Sequence, residues 1–237
     1  MNEYLLFVDT ETTGLPGRWD LPYARAGHWP YVAQLAWQLY APDGTLVKEE
    51  NHFLQIPEGR MPARAVAVHG ITPEFLQAHG QPPAPVLRRL LADLEQYRPR
   101  VVGYFLQLDF HVIGAALHRA GLPNPLPALP QFCVMRVSGR PDDGTHRRYR
   151  RLSELHERLL GQPLPRLHDA REDAAATARC FYALRRQGQI PAEVLSGQPP
   201  LHPPAAPAAA AGPSRPGLLG GVALLVLLLL MLLWILV

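Results

Sequence analysis

The sequence predicts an α/β protein built on a mixed sheet. Three observations carry this. Apolar runs at residues 4–11, 31–40 and 45–56 are separated by turn signals and read as a meander of strands. From residue 71 onward, segments with apolar residues at helical spacing alternate with short apolar runs. Consecutive strands at the start require antiparallel pairing, and the later helix crossovers require parallel pairing.

The elements follow in order. "YLLFVDTE" (4–11) is apolar on both faces and suits the centre of a sheet. Residues 12–30 form a long loop rich in Gly and Pro. "YVAQLAWQLY" (31–40) is the second strand, "APDG" (41–44) a turn, and "TLVKEENHFLQI" (45–56) the third. "ITPEFLQAHG" (71–80) starts a helix with Thr72 as N-cap and Pro73 in the first helical position. "APVLRRLLADLEQY" (84–97) places Val86, Leu87, Leu90, Leu91 and Leu94 on one helical face. "RVVGYFLQL" (100–108) reads as a strand leading into a helix from about Asp109 to Gly121. "FCVMRVS" is a further strand, followed by a basic loop and a helix over 152–161. "HDAREDAAATARCFYALRRQG" is the strongest helix, with Asp169 as N-cap and Gly188 as its stop.

The chain of 237 residues is long enough for one sizeable domain and appendages. Of its 23 basic residues, only Lys48 is a lysine. Arg binds oxyanions through a planar fork, so this bias suits phosphate recognition as well as a codon preference. Cys133 and Cys180 are isolated, with no CxxC or zinc spacing, which fits a reducing cytosol. The chain opens directly into a strand-like run, without the pattern of a secretory signal.

The last third of the domain plan is compositional. Residues 1–190 carry the globular domain. Residues 191–216 are Pro/Ala-rich and read as an extended, disordered linker of roughly 80 Å. Residues 217–237, "GLLGGVALLVLLLLMLLWILV", contain no charge, and about 20 apolar residues span a bilayer. This segment is expected to be a single-pass C-terminal transmembrane anchor. Arg185, Arg186 and Arg215 lie before it, so the domain is expected to face the cytoplasm.

Asp9 and Glu11 end the first strand, and side chains at i and i+2 share a face. Neighbouring carboxylates either share a proton or hold a cation. Asp109 lies at a strand–helix junction, and Asp173 lies in the first turns of the helix that follows His168. Four carboxylates without paired Cys or His favour a hard divalent cation, Mg²⁺ or Mn²⁺.

D-x-E at the end of the first strand, a later Asp and a final H-x₄-D resemble the DEDDh branch of the 3′–5′ exonucleases. That ribonuclease H-like group includes the bacterial proofreading epsilon subunit, RNase T and oligoribonuclease. "DTETTGL" (9–15), "VHGIT" (68–72) and "HDAREDAAATA" are similar to its motifs, over roughly residues 4–186. The middle motif departs: where the group usually reads "HNxxFD", this chain has "YFLQLDF", with Tyr104 and Phe105 in place of His and Asn. The resemblance implies a ribonuclease H-like sheet flanked by helices. It implies two divalent ions held by Asp9, Glu11, Asp109 and Asp173, and His168 as general base. The substrate would be single-stranded DNA or RNA with a free 3′ end, released as nucleoside 5′-monophosphates.

By the same resemblance, Thr12, Gly14 and Leu15 approach the terminal nucleotide. His69 either lies beside them or is a turn histidine bonded to backbone. The aromatics and arginines of 15–30 either stack on unpaired bases or pack the loop down. Arg136, Arg140, Arg147, Arg148, Arg150 and Arg151 either meet backbone phosphates or form a solvated basic loop. An alternative function is a non-catalytic, membrane-anchored nucleic-acid-binding module on the same fold.

Overall fold

β1 (Leu5–Thr12) is the middle strand of a five-stranded sheet. β2 (Val32–Tyr40) and β3 (Leu46–Phe53) extend it on one side, antiparallel. β4 (Arg100–Gly103) and β5 (Gln131–Cys133) extend it on the other side, parallel, to give the order β3-β2-β1-β4-β5. The computed structural model describes residues 3–139, 149–164 and 168–205.

The two faces of β1 divide the core. Leu6 and Val8 pack with Leu87 and Leu90 of α3 (Pro83–Tyr97) and with Phe110 and Ile113 of α4 (Leu106–Arg119). Leu5 and Phe7 face the other way, against Leu155 of α5 (Leu152–Leu160) and Phe181 and Leu184 of α6 (Ala170–Arg186). Phe7 is fully buried, with Phe181 and Tyr40 edge-on at 5.4 Å. Each such side chain contributes about 1.5–3 kcal/mol of apolar burial. The alternation continues to the end of the strand, so Asp9 and Glu11 fall on the α6 side and Thr10 on the α4 side.

The mixed sheet, the meander and the central place of β1 agree with the sequence reading. Several details differ. β4 stops at Gly103 and α4 begins at Leu106, three residues earlier than expected, and Asp109 lies in the first turn of the helix. The cause is Phe105, whose φ of 63° breaks the strand. β5 keeps only three residues before a 3₁₀ turn at Val134–Val137. A short helix, α1 (Ala63–His69), precedes α2 (Pro73–His79), which starts with the expected Thr72 cap on Phe75 N–H.

The expected linker also begins late. Residues 192–196 form α7 (Ala192–Ser196), with Leu195 buried. The Gln198 side chain then pairs with Cys133, accepting from its N–H at 2.9 Å and donating to its C=O at 3.0 Å. That amide covers the open edge of β5, which would otherwise be free to pair. Leu201 N–H donates to Gln131 Oε1 at 2.8 Å. Ordered packing therefore runs to about residue 201, because these polar residues find partners on an edge strand. The expected anchor at 217–237 lies outside the described residues. Among the described residues no helix is long and apolar enough to cross a membrane.

Candidate active site

Three elements converge at the end of β1. Its register against β2 sets Glu11 opposite Gln34 and Asp9 opposite Ala36. From α6 comes Asp173, the fourth helical residue, and just before that helix comes His168. One carboxylate oxygen each from Glu11 and Asp173, and a ring nitrogen of His168, lie within 4.8 Å of one another. From α4 comes Asp109, which is 3% exposed. Its Oδ1 accepts from the Thr10 hydroxyl at 2.7 Å, which fixes the carboxylate against β1.

The α6 approach is tightly specified. Asp169 caps the helix, accepting from Arg171 N–H at 3.1 Å and more distantly from Glu172 N–H. Gln34, 1% exposed, clamps this helix start to the sheet. Its Oε1 accepts from Ala170 N–H at 3.2 Å, and its Nε2 donates to Asp169 Oδ1 at 3.2 Å. His168 adopts φ 61°, which turns the chain sharply into the helix. Gln34 and Thr10 are site-supporting residues that the motif reading missed. The available signal was a polar side chain inside an otherwise buried strand.

Electrostatics make the acids interdependent. Burial pushes Glu11 up to about 8, reinforced by Asp173 and Asp109. Asp9 is raised well above the carboxylate range by burial and then by Asp109, Asp173 and Glu11. Burial raises Asp109 to about 7 despite the Thr10 hydrogen bond. Burial likewise raises Asp173 to about 7, against the His168 N–H that favours its charge. Asp173 Oδ1 is buried without a hydrogen-bond partner. Several oxygen donors that repel one another, with one orphaned oxygen among them, suit a hard divalent cation.

The expected substrate contacts are arranged around this cluster. The Thr12 hydroxyl is committed to Gly14 C=O at 2.7 Å, which forms a tight turn. Gly14 sits at φ 141°, and Leu15 beyond it is 65% exposed. His69 satisfies both readings. Its Nδ1 accepts from Ile71 N–H at 3.0 Å, so the ring proton sits on Nε2. That Nε2 is buried without a partner, near the Thr12 backbone, and burial followed by His168 lowers the His69 pKa. A cavity of about 250 Å³ joins His69, His168 and Phe75.

The loop aromatics divide. Trp29 is 1% exposed, stacks on His111 at 5.1 Å and donates to Leu21 C=O. The Tyr23 hydroxyl meets His111 Nδ1 at 3.0 Å. These two pack the loop down, while Trp19 stays half-buried. Of the basic residues, Arg136 and Arg151 are exposed, and Arg150 donates to Ser138 C=O. Arg140, Arg147 and Arg148 lie outside the described residues.

The mixed sheet thus brings an acidic cluster and one histidine together at the end of its central strand. The comparisons give the family. The RNase T model, described as exonuclease, matches residues 6–181. The chain belongs to this exonuclease family. No curated protein matches it. Solved structures share the fold. E. coli exonuclease I in complex with a dT13 oligonucleotide is 20% identical at a TM-score of 0.64, over 79% of this chain and 42% of that one. A product-bound exonuclease I is 19% identical at 0.63, over 80% and 45%. The zinc-bound E. coli ExoI–ssDNA complex is 20% identical at 0.63, over 78% and 41%. The chain thus spans less than half the length of these exonuclease I chains.

Proposed function

We propose that the protein is a metal-dependent 3′–5′ exonuclease that hydrolyses single-stranded DNA or RNA to nucleoside 5′-monophosphates and is tethered to a membrane. The observation that carries the chemistry is the convergence of Glu11, His168 and Asp173 ligand atoms within 4.8 Å. Asp9 lies on the same strand face, and Asp109 is held alongside by Thr10. We infer two Mg²⁺ or Mn²⁺ ions, with Asp9, Glu11, Asp109 and Asp173 as their holders. When bound, such ions supply Lewis acidity and neutralise charge on the phosphodiester.

The chain's own groups do the rest. His168 is exposed at the mouth of the site, where its imidazole accepts a proton from the attacking water and returns it to solvent. Thr12 and Gly14 shape a turn where backbone can approach the terminal nucleotide. Leu15 offers an apolar contact for its base, and His69 stands behind the Thr12 backbone of that turn. A purely binding module would have no use for a mutually repelling acid set paired with a histidine, so the catalytic reading is favoured.

The tether rests on the sequence of 217–237. With packing extending to about 201, the remaining linker, if extended, reaches roughly 45 Å. The test uses 5′-labelled and 3′-labelled oligonucleotides. Shortening from the 3′ end with early release of labelled mononucleotide, abolished by chelator, is expected. Early internal fragments overturn the exonuclease reading. Full-length protein that leaves membranes on carbonate extraction overturns the tether.

A further inference from the structure

Away from the acid cluster, a cavity of about 380 Å³ opens where the loop before β2 meets α3 and α4. That volume falls within the roughly 300–1,000 Å³ usual for small-molecule sites. Val32, Leu54 and Ala116 line it and are buried. Tyr31, Ile56 and Ala84 line it as well and are half-buried. Among the described residues, no aspartate or glutamate lines it.

The charge in this apolar lining is Arg119, at the end of α4. Its guanidinium lies over the Tyr31 ring, 4.2 Å from the centroid. It donates to Pro30 C=O at 3.0 Å and to Trp29 C=O. These partners fix the cation without neutralising it. Among the described residues no carboxylate forms an ion pair with it. Burial lowers the Arg119 pKa, and only Tyr31 acts against that shift. Such a cation has lost water and gained no anion.

α3 adds to the same potential. Its first two residues, Pro83 and Ala84, line the cavity, and its N-terminus has no side-chain cap. The N–H groups of an uncapped first turn carry partial positive charge and attract anions. An apolar cavity with two sources of positive potential and no acid is complementary to an apolar body that ends in an anion.

The cavity is joined to the substrate turn through backbone. Tyr31 N–H donates to Thr13 Oγ1 at 3.0 Å, and Thr13 N–H donates to Tyr31 C=O at 2.9 Å. Thr13 sits between Thr12 and Gly14. An occupant packed on the Tyr31 ring therefore steadies the strand end that holds this turn.

We propose that this cavity is an effector site for a small organic carboxylate, whose aromatic or aliphatic body covers Val32, Leu54 and Ala116 while its carboxylate pairs with Arg119. Occupancy steadies the Tyr31–Thr13 pairing and lowers KM for the oligonucleotide. The binding site stands apart from the exonuclease reading, and only its effect on turnover rests on that reading.

The test uses the full-length chain in lipid nanodiscs, since detergent would compete for an apolar cavity. The probe is 3-phenylpropionate, and the control is its uncharged amide. Affinities come from titrations followed by saturation-transfer NMR, with empty nanodiscs as the blank. The carboxylate should bind about 10- to 100-fold more tightly than the amide, as expected for one charge-assisted pair. Arg119→Gln should bring the carboxylate down to the affinity of the amide. Ala84→Phe should fill the cavity with its own ring and abolish binding of both probes, while melting temperature and basal turnover hold. Equal affinity for the two probes in the parent, or binding of neither, overturns the proposal whether or not Arg119→Gln folds. Binding that survives Ala84→Phe places the probe elsewhere and overturns the site. On a single-stranded oligonucleotide, the probe should lower KM a few fold in the parent and leave Ala84→Phe unchanged. An unchanged or raised KM in the parent overturns the effector role. A parent that cuts nothing overturns the exonuclease reading and the effector role with it, while the binding comparison still decides the site.

Discussion

Helices α4 and α6 perform the same task in different ways. Each delivers an aspartate from its fourth helical position, Asp109 and Asp173 respectively. α6 starts with a polar cap, Asp169, clamped to β2 by Gln34. α4 starts with an uncapped phenylalanine in a left-handed conformation, and its aspartate is fixed from the side by Thr10. The capped start specifies backbone, while the uncapped start leaves a side chain facing a cavity. The difference separates an aspartate held by its own helix cap from one held by the neighbouring strand.

The strongest way to test this comparison is to remove the two aspartates in turn. Asp173→Asn and Asp109→Asn should each reduce turnover on the order of a thousandfold or more, since a bound cation supplies several kcal/mol of transition-state stabilisation. Binding of Mn²⁺, followed by paramagnetic resonance, should fall with activity. Near-parental turnover in Asp173→Asn would remove the α6 aspartate from the site.

His168→Ala comes next. Losing a general base should lower kcat by about 10²- to 10⁴-fold while Mn²⁺ binding persists. The cluster places the His168 ring close enough to Glu11 and Asp173 to touch a shared ion. A parallel loss of Mn²⁺ affinity would therefore reassign it from base to ligand.

The two helix starts also explain what the sequence could reveal. Asp169 followed by helical periodicity is a local signal, and the α6 start falls where that signal puts it. The alternation of Leu5, Phe7, Asp9 and Glu11 likewise follows from strand period alone. The α4 start was misplaced because apolar "YFLQL" reads as strand, and no local rule anticipates a phenylalanine at φ 63°. α7 was missed because its Pro-rich surroundings resemble a linker, whereas it is held by remote partners: Leu195 packs in the cluster of Phe7 and Phe181, and its C=O accepts from Arg100. Gln34 and Thr10 were passed over for the same reason: their partners are distant in sequence.

Acidity offers a smaller but cleaner effect. Folding raises Glu11 to about 8 and Asp109 and Asp173 to about 7, above unfolded values near 4. Between about pH 4 and pH 8 the folded state then holds more protons than the unfolded chain. Metal-free stability should therefore be greatest at the acid end and decline as pH rises through that window. Denaturation in chelator at pH 5.5, 7.0 and 8.5 should show this fall. Excess Mg²⁺ should reverse it most at pH 8.5, where the carboxylates are free to bind. Stability that rises with pH in chelator would contradict a mutually repelling cluster.

The smallest effect separates the two helix starts most directly. Asp169→Ala removes an N-cap, and such losses cost about 0.5–2 kcal/mol. It also removes one of the two acceptors of the Gln34 Nε2, which keeps its bond to Asn51. A drop in stability of about 1–2 kcal/mol is expected, with reduced turnover because His168 and Asp173 flank the disturbed cap. Asp169→Asn keeps an accepting oxygen and should recover most of both. At α4 the corresponding change, Phe105→Asn, should leave stability equal or higher. Urea denaturation of the three variants beside the parent measures the contrast. Equal destabilisation at both ends would mean that the phenylalanine supports its helix as the aspartate does, and the contrast between the two helix starts would fall.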